Sequence, residues 1–470
     1  MAKHAGRGVC ADPGLQVSRA VLAAERGSKM SDAHEGVKFG PVRLMPGVKR
    51  SHVAAYLWAA FVSIGIFTYA TALQPYLLNV NIGVPKEVQG KISGDLQFWQ
   101  EIVTLVLVGV FGALSDRLGR RVVYIVGFLV AALAYAAFPF ADDTGQLLIY
   151  RIVFAVSLAA LTGMLATVLA DYPVDADRGK LTGISFTLNA LGAVLFLVLL
   201  VNMPQWYRDS GLSEIDAGRA AYLTVAAVCL VSAVVMWGLK PGRPEQVTER
   251  LPLMTLLRQG LAAGREPRIS LAYAASFAAR ADLVIVALFL ALWVQSAAIT
   301  DGATPAQAAK MQGALFGIVQ GSALLWAPFF GWLADKIDRV TLVIIAVVLS
   351  VIGYGWMGFI PDPAASGAVY GAAAMLGVGQ ASGILASQVL VAQEAPGAIR
   401  GAVIGMVGFF GALGILAISK IGGIAYDDWR PGAPFIIMAG ANLVLLVYAV
   451  WVRRQPRRAP SAVATAMPRE

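Results

Sequence analysis

The sequence predicts an all-α integral membrane protein, twelve transmembrane helices arranged as two six-helix, pseudo-symmetric halves. Three observations lead there. Hydrophobic residues make up 58% of the 470-residue chain and charged ones only 14%, where a soluble domain carries about a quarter charged residues. Apolar runs of about 20 residues recur along the chain, long enough to cross the hydrocarbon core as helices, and mean hydropathy is +0.69. Landmarks of the first half then return in the second at a nearly constant offset.

Taken in order, the spans are expected at 52–78, 96–114, 122–140, 147–170, 181–203, 219–239, 269–295, 309–333, 340–360, 367–392, 401–425 and 434–452. Several contain Gly or Pro, which membrane helices tolerate because neighbouring groups re-satisfy the freed backbone. Lys and Arg concentrate in cytoplasmic loops. With the N-terminus inside, 28 of the 37 fall on the cytoplasmic side, so both termini are placed there, in a plasma (inner) membrane. The chain divides into a tail (1–50), a first half (51–239), a cytoplasmic linker (240–268), a second half (269–452) and a basic tail (453–470). The linker holds an amphipathic stretch expected to lie on the inner leaflet. Residues 1–50 lack the continuous apolar run of a cleaved signal peptide, so the first span is expected to act as an uncleaved signal. "MSDAHEGVKF" at Met30 resembles an ordinary start, which leaves 1–29 as either an upstream extension or a short tail.

Composition also removes function classes. The net charge of +9 sits in tails and loops, so membrane topology accounts for it and no nucleic-acid partner is expected. Cys10 and Cys229 are too far apart in setting for a structural disulfide, and His4, His34 and His52 all precede or open the first span. No metal site, cofactor or nucleophile–base set is legible, so the chain is not read as an enzyme. No Walker pattern is present, which sets aside ATP-driven transport; "GVGQAS" at 377–382 lies mid-span and lacks the last glycine of a nucleotide loop.

The repeat is carried by "FGALSDRLGRR" (111–121) and "FGWLADKIDRV" (330–340). Gly112, Leu114 and Asp116 recur as Gly331, Leu333 and Asp335, 219 residues later, and Arg178 recurs as Arg400 at an offset of 222. Two parallel six-span halves follow. Asp116 lies just past a helix C-terminus, where the dipole disfavours an anion, and therefore needs a compensating partner.

On these residues the chain resembles the major facilitator superfamily of secondary transporters over all twelve spans. The family's loop between spans two and three is filled by Gly112, Leu114, Ser115, Asp116, Arg117, Gly119, Arg120 and Arg121. The second copy keeps Gly331, Leu333, Ala334, Asp335, Lys336 and Arg339 but has Asp338 for the glycine and Val340 for the last base. The resemblance implies a latch that is made in one conformer and broken in the other. In it Asp116 faces the N-terminus of span eleven near Gly401, and Asp171 holds one of the loop's bases, Arg117 or Arg121. It also implies that spans one, four, seven and ten line a central cavity, that Arg151 matches the arginine of a motif linked to cation coupling, and that the protein works as a monomer in the bilayer.

Ionisable groups inside spans are functional candidates by default. Glu101 shares a face with Gln97 and Thr104 and is a candidate proton carrier; Arg151 is a candidate partner for it. Arg280 and Asp282, near the middle of span seven, point about 200° apart. One of them is expected to serve substrate or a coupling proton, and the other to pair with a neighbouring helix. Tyr69, Gln74, Asn189, Gln320, Trp326, Gln380 and Gln388 are softer candidates, more simply read as interhelical hydrogen bonds, and Lys420 is expected to snorkel to the interface. Span five lacks the Gly-Pro signature of the family's drug/proton antiporters, and span seven lacks the paired glutamines of its sugar porters. The expected function is secondary active transport of a small solute, proton-coupled symport, with a lean toward an anionic or carboxylate substrate from Arg151 and Arg280. The alternatives are efflux of hydrophobic compounds and a non-transporting receptor or assembly protein on a transporter body.

Overall fold

In the computed structural model the described residues are 37–242, 253–396 and 399–455; the question of residues 1–29 and most of the C-terminal tail lie outside them. Among the described residues twelve helices are long and apolar enough to cross a membrane: Arg50–Ile82, Lys86–Leu118, Arg120–Phe140, Thr144–Asp171, Arg178–Asp209, Glu214–Gly238, Pro267–Thr300, Pro305–Lys336, Arg339–Gly358, Ala368–Glu394, Arg400–Asp428 and Ala433–Arg454, numbered here as spans 1 to 12. In lipid a spanning segment must satisfy its own backbone, which only a helix does within one segment. Ends are set by local chemistry: Asp143, Ser213, Thr304 and Asp338 accept backbone N–H bonds at the starts of spans 4, 6, 8 and 9.

Several spans run longer than expected. Span 1 extends through a π-helical turn at Leu77–Ile82, span 5 through another at Phe196–Leu200, and span 7 through a third at Ile285–Phe289. Such turns keep the hydrogen-bond ladder going: the first carries span 1 past its expected end at 78, while the other two lie within the expected bounds of spans 5 and 7.

The halves repeat each other in packing as well as in sequence. Spans 1 and 5, 2 and 4, 3 and 4, and 3 and 6 pack in the first half; spans 7 and 11, 8 and 10, 9 and 10, and 9 and 12 pack in the second. Close approach fixes one equivalent contact in each. A Cβ at Gly192 of span 5 would collide with the Phe61 carbonyl of span 1, and one at Gly414 of span 11 with the Phe277 carbonyl of span 7. Small residues let membrane helices approach this closely.

One face, called basic here, carries the 2–3, 4–5, 8–9 and 10–11 loops. Two features there were not expected. Part of the presumed tail is a hairpin of β1 (Lys38–Phe39) and β2 (Val42–Arg43), turning at Gly40 with φ +55°. It straps the 4–5 loop: Leu44 bridges Pro173, Met45 N donates to the Tyr172 carbonyl at 2.9 Å, and Arg43 Nε donates to Asp177 Oδ2 at 2.8 Å. Val42, Leu44 and Val48 are buried beneath it. The linker's helix, Leu253–Ala263, packs on span 11, with Gly260 against Met406 and the Tyr273 hydroxyl donating to the Gly260 carbonyl at 2.7 Å. It therefore rests on protein, not only on lipid.

Candidate functional site

The 2–3 loop is built around Arg120. Gly119, at φ +93°, makes the left-handed turn that a side chain would strain, and the next residue enters span 3 facing back. Arg120 Nη1 then meets Asp116 Oδ1 at 2.5 Å, and its Nε meets Asp171 Oδ2 at 3.0 Å. One fork-shaped guanidinium thus neutralises both acids. This corrects the expectation that Asp171 pairs with Arg117 or Arg121. Arg120 is the first residue of the next helix and points back under the loop, while Arg121, one position on, stacks over Trp237 at 4.7 Å.

The second copy is rewired rather than merely eroded. Asp338 replaces the glycine, takes φ −60° and caps span 9. Arg339, equivalent to Arg120, donates to Gln393 Oε1 at 2.6 Å, a neutral group near the place of Asp171. Asp335 forms no ion pair or hydrogen bond among the described residues, Lys336 sits over Trp332, and Arg268 pairs with Glu394 at 3.1 Å. Arg178 and Arg400 keep the symmetry: each donates Nη2 at 3.2 Å to a carbonyl eight residues earlier, Ala170 and Ala392. Gly331 and Gly401 face open space.

The opposite face is where the halves join. Gly90 N and Lys91 N donate to Asp427 at 2.9 and 2.7 Å, capping the start of span 2 with an acid from the end of span 11. Lys91 pairs with Asp428 at 2.6 Å, Lys86 reaches Thr300, and Gln295 donates to the Ala72 carbonyl at 3.3 Å. Lys420 pairs with Asp95, so it crosses between halves rather than snorkelling. Gly94 lies directly against the Ser419 carbonyl. Spans 2, 5 and 8 are correspondingly the least buried, at 11%, 28% and 28% of their most apolar windows against 72% and 67% for spans 1 and 7. The halves are therefore joined at one face and splayed at the basic face.

Between them lie two charges. Arg280, midway along span 7, is exposed among buried neighbours. Its stem lies against Gly411 of span 11, and Glu101 of span 2 feels its charge without a direct ion pair. Asp282, on the other side of the same helix, is 1% exposed inside the second half, and the Tyr354 hydroxyl donates to its backbone carbonyl at 3.3 Å.

Arg151 is 2% exposed and does not pair with Glu101. Its Nη1 donates to Gln100 Oε1 at 2.9 Å, its Nη2 to the Ala70 carbonyl at 2.9 Å and to Gln74. Adjacent helical residues point about 100° apart, so turning Gln100 toward span 4 carries Glu101 away. Phe138 lies under the guanidinium at 5.5 Å, packed with Tyr135, Phe154 and Tyr222. Gln97 and Gln380 are buried with their amide nitrogens unpartnered, while Trp326 bonds Ser382 at 2.9 Å. Sequence reasoning passed over Gln100, although it stands in the same polar "QFWQEIVT" stretch as Glu101. The interhalf partners Asp95, Asp427 and Asp428 left no signal beyond their charge.

Comparison with known proteins agrees with this architecture. The chain is 28% identical over 422 residues to the magnetosome protein MamH of Paramagnetospirillum magneticum, covering 87% of this chain and 94% of that one. It is 28% identical over 390 residues to the magnetosome protein MamZ of the same organism, spanning only 59% of that longer protein. A synaptic vesicular amine transporter of Rattus norvegicus is 26% identical over 60% of this chain and 52% of its own. Among solved structures, the nucleoside transporter NupG superposes with a TM-score of 0.67 at 13% identity, over 86% of this chain and 99% of that one. A D-xylose-proton symporter superposes at 0.65 and 16% identity, over 85% and 96%. The family model of the Major Facilitator Superfamily matches residues 55–309 and 272–468, and with the duplicated loop and the twelve paired spans in place, the chain belongs to that superfamily of membrane transporters.

Proposed function

We propose that the chain is a secondary active transporter that carries a small anionic solute together with protons by alternating access, here open toward the cytoplasm. The observation that carries this reading is Arg280, exposed midway along span 7, whose charge acts on Glu101 of span 2 across halves that are joined at one face only. A guanidinium in that space supplies fork-shaped donors for a carboxylate. A carboxyl within its field is able to take a proton when the solute's negative charge approaches and to release it when the solute leaves. The basic face is assigned to the cytoplasm from the Lys and Arg distribution, with Arg120, Asp116 and Asp171 as the latch of the inner gate and a plasma membrane as its setting.

The test is transport into proteoliposomes with an imposed pH gradient. Glu101→Gln is expected to fold as the parent does, because Glu101 makes no hydrogen bond or ion pair among the described residues, and to lose accumulation while retaining exchange of solute. Accumulation equal to that of the parent would remove Glu101 from proton coupling. A second setting is supported by two relatives, matched over 422 and 390 residues, that are named for the magnetosome. A fluorescent fusion that stays in the cell envelope and never enriches with magnetosomes excludes it.

A further inference from the structure

We infer that the cleft between the linker helix and spans 7, 11 and 12 holds one anionic phospholipid from the leaflet at the basic face, with its phosphate on Arg265. The cleft measures about 720 Å³. Span 7 contributes Ser270, Ala274 and Phe277, and span 12 contributes Ala441, Val444 and Tyr448, each set spaced so as to share one helix face. Phe410 of span 11 adds an aromatic wall, stacked on Tyr273 at 5.1 Å. Span 7 starts at the basic face and span 12 ends there, and each set covers seven residues, about 10 Å of helix. The cleft therefore reaches no deeper than one leaflet of a hydrocarbon core about 30 Å thick. Span 12 packs on spans 7, 9 and 11, all of the second half, so the cleft opens to the bilayer and is separate from the space between the halves.

Polarity is confined to the rim. The Ser270 and Tyr448 hydroxyls lie 2.6 Å apart there, and Trp451 stacks on Tyr448 at 5.7 Å, as amphipathic rings do at headgroup level. Deeper in, the lining is apolar, since the Tyr273 hydroxyl is spent on the Gly260 carbonyl. Arg265 stands over the rim in the turn between the linker helix and span 7. That turn is held by its own backbone, Arg265 N donating to the Ala262 carbonyl at 3.1 Å and Glu266 N to that of Ala263 at 3.0 Å. The Arg265 side chain is exposed and forms no hydrogen bond or ion pair among the described residues, its neighbour Glu266 included. Arg453 and Arg454, within two turns of Tyr448, are exposed and unpaired in the same sense. A guanidinium fork matches a phosphate, and a basic pocket between spans at headgroup level selects anionic lipid. A free phosphate would satisfy Arg265 and leave the apolar cleft empty, whereas a phospholipid fills both. Its acyl chain would lie against Phe277, one turn from Arg280, where the Phe277 carbonyl meets Gly414 of span 11. The lipid thus braces spans 7, 11 and 12 against the linker.

The purified full-length protein in a neutral detergent is melted at constant ionic strength with phosphatidylglycerol, phosphatidylcholine or inorganic phosphate. Phosphatidylglycerol is expected to raise the melting temperature in a saturable way, because a ligand bound only by the folded state stabilises it, while the other two do not. Arg265→Gln is expected to raise the half-saturating concentration of phosphatidylglycerol about fivefold, as loss of one arginine near an anionic lipid does. Ala441→Trp, which fills the cleft and leaves every charge in place, is expected to abolish the response. Equal stabilisation by phosphatidylcholine overturns the proposal, as does stabilisation by phosphate alone or an unchanged response in both variants. Efficient crosslinking of two copies through Ala441→Cys in a Cys10→Ser background also overturns it, because a second copy of the chain then covers the cleft. Melting does not involve transport, so either result leaves the reading of Glu101 standing or falling on its own experiment.

Discussion

At Arg120 a single side chain carries what the sequence spread over three arginines. It binds Asp116 and Asp171 together, whereas the second copy gives its equivalent, Arg339, only the neutral Gln393, and Asp335 has no partner among the described residues. Asp116→Asn therefore removes one arm of a shared ion pair and Asp335→Asn removes none. Transport is expected to fall at least about tenfold more for the first than for the second, in line with the 1–3 kcal/mol of a typical conformational coupling. Initial-rate assays on matched expression levels check this, and equal losses would refute the asymmetry. The filled motif made these residues legible. Which base serves which acid was not, because that depends on the left-handed turn at Gly119 and on where span 3 starts, neither of which spacing reveals.

Among the elements, the hairpin Lys38–Arg43 was invisible to hydropathy: it is short, polar on one side, and stable only against a loop some 130 residues distant in the chain. Its anchor is Asp177, 2% exposed and held by Arg43 at 2.8 Å and Lys180 at 2.7 Å. The hydrogen bond from Arg43, followed by that from Lys180, holds this carboxyl well below the usual range, and the same contact raises the arginine. A carboxyl depressed in the folded state contributes stability above its unfolded pKa of about 4, and that contribution is lost as pH falls through the folded value. The melting-temperature gap between the parent and Asp177→Asn is expected to stay constant from neutral pH down to about pH 5 and to close only below about pH 4. A gap that varies between pH 6 and 8 would rule out this anchor. The spans, by contrast, were legible in number and order, since continuous apolarity is what a membrane helix requires of its sequence, although span 2 begins at Lys86 and not at 96; the π-turns were not, because they answer to packing.

For the whole molecule, the balance between conformers rests on which face is sealed. Gly94 lies against the Ser419 carbonyl at the joined face, whereas Gly405 at the splayed end of span 11 has nothing within 4 Å of a Cβ. Gly94→Leu overpacks the joined face, which costs about 1–3 kcal/mol. It should shift the population toward the opposite conformer by roughly 5- to 150-fold. A reporter thiol introduced by Gly405→Cys in a Cys10→Ser background, with Cys229 buried, should then react more slowly with a membrane-impermeant maleimide. An unchanged rate would show that this contact does not set the balance. The two-half plan could be read from the 219- and 222-residue offsets, and the Gly192 and Gly414 contacts repeat it in three dimensions. What no sequence pattern conveyed was the partition of span 7, with Arg280 between the halves and Asp282 sealed within one of them.

The strap has a consequence for biosynthesis. Arg43 leaves the ribosome long before Asp177, and a chain made at 5–20 residues per second keeps the two apart for on the order of ten seconds. Over that interval the segment before span 1 stays undocked, and its docking marks the moment when the first four spans have been delivered in the correct order. The first half can thus be clasped before the second is translated, and a fusion partner attached close to Lys38 is expected to delay that step even where it leaves the finished protein undisturbed.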